Sequence, residues 1–177
     1  MLHLVGLGLV FACLLGCGSP PSPYKNPRLE VFKAKRELRL FEGDRLVKTY
    51  RIGLGHNPVP PKEKEGDGAT PEGSYFICTK NPRSKYTLSL GVSYPGPLDA
   101  ERGFKAGLIT EAERKEIVAA HKEKRTPPWK TKLGGEIFIH GKGSKSDWTL
   151  GCVALDDDDV RDLYDWIPVG TPVTILP

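Results

Sequence analysis

"RLEVFKAKRELRLFEGDRLVKTYRIGLG", residues 28–55, decides the fold class. Leu29 and Val31 alternate with charged residues, and Leu38 and Leu40 do the same. Past a tight Glu42-Gly43-Asp44 turn, Leu46 and Val47, then Tyr50 and Ile52, resume the alternation. A period of two predicts strands with one face buried and one in water, joined by short turns. The segment reads as a β-meander.

Downstream the strand pattern recurs. "HNPVPPKEKEGDGATPEG", 56–73, is a long polar loop rich in Gly and Pro. "SYFICTK", 74–80, is a strand carrying Cys78, and "YTLSLGVSYP", 86–95, is another. Residues 96–132 break the pattern. Thr110 with Glu113 forms a capping box, and "EAERKEIVAAHKEKR" continues as a helix with acids early and bases late. Its apolar face is thin (Ile117, Val118, Ala120), which fits a packing helix or a flap over a cleft. "GEIFIH", 135–140, is a buried strand. "DDDDVRDLYDWI", 156–167, is a second helix with Asp156 as N-cap and Val160, Leu163, Tyr164 and Ile167 on one face. "TPVTILP" is a closing strand. A length of 177 residues suggests one domain, and 16 prolines and 20 glycines suit many turns. The expectation is an α+β domain, mainly β, with two helices.

The amino terminus has another character. "LVGLGLVFACLL" is an apolar run too short to span a bilayer, ending in Leu14-Leu15-Gly16-Cys17. This resembles the lipobox of bacterial lipoproteins. It implies a signal peptide over 1–16 and lipidation at Cys17, although no Lys or Arg precedes the apolar run. Residues 17–28 then form a proline-rich tether and 29–177 the folded domain. The expected location is the cell envelope, with a membrane partner through the lipid anchor. Gly18 replaces the aspartate of an inner-membrane retention signal, which leans towards the outer membrane. A net charge of +4, from 26 basic and 22 acidic residues, is too mild for a nucleic-acid binder. Oligomeric state is left open.

Of the four cysteines, Cys13 leaves with the signal and Cys17 is the lipid site. Cys78 and Cys152 share an export compartment, where a disulfide is possible. Cys152 has a better use. It lies in "SDWTLGCVAL", 146–155, twelve positions after the histidine of "IFIHGKG". Both sit at element ends facing loops, where enzymes display catalytic groups. An imidazole can take a thiol's proton and later protonate a leaving amine. Gly151 permits close approach beside the sulfur, and N–H groups around Gly151 and Cys152 offer an oxyanion hole. A buried structural cysteine is the commoner case for an isolated Cys and His.

The surroundings make the pair more specific. "IHGKGSKSDWTLGCVAL" resembles the catalytic signature of the L,D-transpeptidase (YkuD-like) family at His140, Gly141, Thr149, Gly151, Cys152 and Val153. "EGDGATPEGSYFI", 65–77, is similar to the family's second motif at Gly66, Asp67, Thr70, Pro71 and Gly73. The resemblance implies a β-sandwich-like domain with Cys152 as nucleophile and His140 as base. It implies that the Gly141 carbonyl orients the imidazole, with Gly151, Thr149 and Trp148 in the substrate loop. It implies peptidoglycan stem peptides as substrates and no metal or organic cofactor. Leu150 and Ala154 depart from the commonest pattern, which has His before the Gly-Cys pair and Arg two residues after the cysteine. The missing cation leaves open whether an amine or water resolves the acyl-enzyme. A same-fold hydrolase, and a wall-binding lipoprotein without catalysis, are the alternatives. Asp156–Asp159 read as a helix start pointing away from the sulfur, and Lys142 and Lys145 as flanking charges. His56 has no metal-ligand partner at recognisable spacing, and His121 reads as a solvated helix residue.

Overall fold

The structure is a computed structural model that describes residues 22–177. The expected signal peptide and Cys17 lie outside the described residues. The meander forms β1 (Pro27–Phe32), β2 (Glu37–Glu42) and β3 (Arg45–Arg51), antiparallel in sequence order. β1 begins at Pro27, so the last two positions of the expected tether are strand residues. Just before it, Tyr24 packs edge-on against Trp166 at 5.9 Å. The remaining strands are β4 (Gly73–Asn81), β5 (Ser89–Val92), β6 (Phe138–His140), β7 (Val153–Ala154) and β8 (Pro172–Leu176).

These strands make one eight-stranded sheet in the order β3-β2-β1-β8-β4-β5-β6-β7. The closing strand lies in the middle, parallel to β1 and antiparallel to β4. The sheet then curls until its two ends meet. Gly53, just past β3, exchanges both backbone hydrogen bonds with Ala154 of β7, at 2.9 and 2.8 Å. Glycine is required where the ends touch, because a Cβ at Gly53 would stand 2.2 Å from the Ser146 carbonyl oxygen. The meander's inward side chains fill the enclosed core: Leu29, Val31, Leu38, Leu40, Tyr50 and Ile52 are all buried. Closure joins edge to edge and removes much of the open strand edge.

The described residues form three helices: α1 (Pro97–Lys105), α2 (Glu111–Lys122) and α3 (Asp157–Trp166). α2 and α3 answer to the expected pair. α1 was not expected, since residues 96–132 read only as a break in the strand pattern with one helix after Thr110. Pro97 stands at the first helical position, where a missing N–H costs nothing. Gly103 permits close packing, for a Cβ there would lie 2.6 Å from Leu133. The Thr110–Glu113 capping box forms. Val118, assigned to the apolar face of α2, is exposed. His121 is not the solvated residue expected. It is half-buried, its Nε2 meets the Ser93 carbonyl and its ring stacks edge-on with Phe76 at 5.3 Å.

Candidate active site

Two buried lysines fix the 56–73 loop against the sheet. Lys33 Nζ donates to the Val59 and Pro60 carbonyls and to Glu72 Oε1, at 3.3, 3.0 and 2.6 Å. Lys62 Nζ donates to the Lys64 carbonyl and to Asp67 Oδ1, both at 2.8 Å. Asp67 also accepts from the backbone N–H groups of Glu63, Lys64 and Ala69. Burial pushes its carboxyl pKa up, yet Lys62 and those N–H groups outweigh burial and hold it below the usual range. Thr70 Oγ1 accepts from Gly55 N–H at 3.1 Å. The second motif is therefore a brace that carries one wall of a cleft.

That cleft, of about 640 Å³, is lined by His140 and Cys152, with Trp148, Thr149, Leu150, Tyr86 and Lys62 around them. His140 closes β6 and is buried. Its Nδ1 lies 2.8 Å from the Gly141 carbonyl oxygen. A carbonyl only accepts, so Nδ1 carries the proton and Nε2 has the free lone pair. Burial lowers the imidazole's pKa, partly offset by that hydrogen bond, so the ring is neutral at pH 7. Tyr86 stacks on it at 4.5 Å and 23°, and Trp148 meets it edge-on at 5.6 Å. Trp148 Nε1 donates to the Gly143 carbonyl at 3.1 Å. Trp148 is thus part of the site's frame as well as its surface.

Cys152 immediately precedes β7. Its Sγ accepts from Phe138 N–H at 3.3 Å and donates to the Glu136 carbonyl at 3.6 Å. Among the described residues no hydrogen bond joins Sγ to the imidazole. Burial pushes the thiol pKa up to about 11, against the smaller favourable effects of Phe138 N–H and the Lys62 charge. The resting pair is therefore thiol and neutral imidazole. Cys78 is free and half-buried, as Cys152 is, so no disulfide joins them.

The turn before the sulfur is closed by Thr149. Its hydroxyl accepts from Gly151 N–H at 3.1 Å and donates to the Cys152 carbonyl at 2.8 Å. Gly151 has φ of 126°, and a Cβ on it would stand 2.6 Å from the Ala69 carbonyl oxygen. This corrects one expectation: Gly151 N–H is already bonded and is not open to an oxyanion. The amide of Cys152 has no acceptor among the described residues and is the one left for that purpose.

The acid run does not simply point away from the site. Asp156 Oδ1 accepts from Ser144 N–H and hydroxyl, at 3.0 and 3.1 Å, and not from its own helix. Asp157 Oδ1 accepts from Lys142 N–H at 2.9 Å and from the Thr87 hydroxyl at 2.7 Å. Both carboxylates tie the Gly141–Ser144 loop to α3. On the far side, Arg36 grips Asp147 at 2.7–3.1 Å, and Asp147 accepts from Leu54 N–H at 2.9 Å. Tyr86, Asp157 and Lys62 were missed as site residues in the sequence, because no local pattern marks a residue that reaches the site from another strand or loop.

Lys142 and Lys145 are exposed. Leu150 is 77% exposed at the cleft rim, while Ala154 is fully buried against the Gly53 contact. No residue of α1 or α2 lines the cleft, which favours the packing reading of these helices over the flap. Those helices enclose a second apolar cluster of Ala100, Ile109, Ile117 and Leu133 instead. Among the described residues no three His, Cys, Asp or Glu side chains group as a metal site, and no helix is long and apolar enough to cross a membrane.

The fold has solved counterparts. Bd1075 of Bdellovibrio bacteriovorus is similar at TM-score 0.56 and 23% identity, over 89% of this chain and 51% of that one. The helical cell shape determining protein Pgp2 of Campylobacter jejuni is similar at TM-score 0.57 and 23% identity, over 89% and 50%. An L,D-transpeptidase from Mycobacterium smegmatis reaches TM-score 0.51 at 11% identity, over 86% and 59%. In sequence the chain is 29% identical over 173 residues to YafK of Escherichia coli (strain K12), itself named as a candidate L,D-transpeptidase. That match covers 89% of this chain but 57% of YafK, so the chain spans little more than half of that relative's length. The sequence model of the L,D-transpeptidase catalytic domain (YkuD) matches residues 26–175, and the chain belongs to that family.

Proposed function

We propose that this chain is a cysteine acyltransferase of L,D-transpeptidase type, acting on peptidoglycan stem peptides in the cell envelope. The observation that carries the reading is the shared cleft of Cys152 and His140, with the imidazole held by Gly141 so that Nε2 is the free base. A side-chain rotation turns Sγ from Glu136 towards Nε2, which takes the thiol proton as sulfur attacks the carbonyl that follows an L-centre. The oxyanion meets the Cys152 amide. The carbon–nitrogen bond then breaks, and the imidazolium returns its proton to the leaving amine. In the second half an acceptor amine attacks the thioester, and the thiol is regenerated.

Hydrolysis is the second reading, favoured by a cleft that no helix residue lines among those described, which leaves a thioester there open to water as well as to an amine. Product analysis separates the two. Transfer yields cross-linked or D-amino-acid-exchanged muropeptides, and hydrolysis yields shortened ones. Neither product from the parent protein, with wall binding unaffected by Cys152→Ala, would support a non-catalytic wall-binding role instead.

A further inference from the structure

The Cys152 cleft does not end at Glu136. Past Glu65, Gly135 and Glu136 it opens into a second groove of about 810 Å³, lined by Pro127, Pro128 and Trp129. The 127–132 segment is held in place. Thr131 is buried and its hydroxyl accepts from Leu133 N–H at 3.3 Å, while the Lys132 carbonyl accepts from Glu65 N–H at 3.0 Å. The half-buried indole of Trp129 lies against Gly135, where a Cβ would stand 2.3 Å from its ring, and meets Phe138 edge-on at 5.6 Å. Gly135 and Phe138 both line the Cys152 cleft, so the same residues orient the indole and shape the cleft. Lys130, Lys132, Glu65 and Glu136 are exposed around the groove and give it both donors and acceptors.

The cleft alone, at about 640 Å³, already has the volume that one small ligand fills, so the groove is room for something more. Its chemistry does not suit a peptide strand. Pro127 and Pro128 have no N–H to donate, and residues 127–132 form no strand whose edge could pair with one. A flat indole flanked by donors and acceptors suits a pyranose ring, which carries C–H groups on its faces and hydroxyls around its edge. We propose that the Trp129 groove binds the glycan strand of peptidoglycan, with a sugar ring stacked on the indole and its polar groups facing Lys130, Lys132, Glu65 and Glu136. Stem peptides branch from that strand, and three to four extended residues cover about 10–14 Å. A sugar held in the adjoining groove therefore leaves its stem free to run towards Cys152. The inference rests on the stem-peptide reading above and adds a second point of attachment on the same substrate.

Calorimetry on the full chain carrying Cys152→Ala tests this with two probes. One is an N-acetylated stem tetrapeptide, and the other is the same tetrapeptide on its N-acetylglucosaminyl-N-acetylmuramyl disaccharide. The disaccharide form is expected to bind about tenfold more tightly, the worth of an aromatic stack with a hydrogen bond beside it. Trp129→Ala should bring the two probes within about twofold of each other and leave affinity for the tetrapeptide unchanged. Equal binding of both probes by the Trp129 protein, no binding of either, or an advantage that survives Trp129→Ala overturns the proposal. An equal loss of both affinities, as a merely structural Trp129 would give, counts as survival. Should Trp129→Ala not fold, Lys130→Ala with Lys132→Ala, both at exposed positions, should lower the advantage at least about threefold, and an unaltered ratio overturns the proposal. Failure of the stem-peptide reading shows separately, as a tetrapeptide that neither binds nor is turned over by the Cys152 protein while the disaccharide probe still binds through Trp129.

Discussion

At the residue scale, burial governs the chemistry. It raises the thiol pKa to about 11 and lowers the imidazole's, so both groups are neutral at rest, and in the proposed reaction the thiolate forms only as substrate is attacked. Alkylation of Cys152 by iodoacetamide should therefore be slow at pH 7 and climb towards a midpoint near about 11. A midpoint at or below pH 7 would show a preformed thiolate–imidazolium pair. Turnover should fall as acid protonates His140, with the midpoint below the ordinary histidine value of 6.5 because burial disfavours the charged ring. The sequence made His140, Gly141 and Cys152 legible, since motif and spacing lie within one short stretch. It hid Tyr86 and Lys62, whose places at the cleft arise only when distant segments come together. It also misassigned Gly151 N–H, because nothing in "TLGC" shows that the Thr149 hydroxyl folds back on it.

At the element scale, α3 positions the histidine loop as well as covering the core. Asp157 holds Lys142, whose φ of 82° is unusual for a side chain of its size, together with Thr87. Asp157→Ala should lower turnover about tenfold while shifting Tm by only a few degrees, the scale of one or two lost hydrogen bonds. Equal turnover in that variant would reduce α3 to a packing element. The α1–α2 pair has the opposite character. Ile117 is fully buried in its own small cluster, so Ile117→Ala should cost about 2–5 kcal/mol. The ratio of Cys152 labelling by a small and a large maleimide should stay unchanged in the folded fraction. A changed ratio would return the helices to the cleft. The capping box made α2 readable, whereas α1 carries a proline at its first position and a glycine whose place depends on packing against Leu133, which no local pattern shows.

At the scale of the whole molecule, the alternating meander forecast the β-rich domain, but not that the sheet's ends would meet at Gly53 and Ala154. That contact lies between segments about a hundred residues apart, and no local period encodes it. The amino terminus carries a separate proposal, that lipid on Cys17 anchors the domain to a membrane. Cys17→Ala should leave the protein in the soluble fraction after cell lysis, and a variant that still sediments with membranes would contradict the anchor. The central claim, acyl transfer through Cys152, is tested most directly by mass spectrometry of the intact chain after brief incubation with a defined stem tetrapeptide. The account predicts a mass gain equal to the acyl fragment, mapped to the Cys152 peptide, absent in Cys152→Ser and discharged by an added D-amino acid or by water. An unmodified Cys152 under conditions where the same peptide is consumed would contradict it.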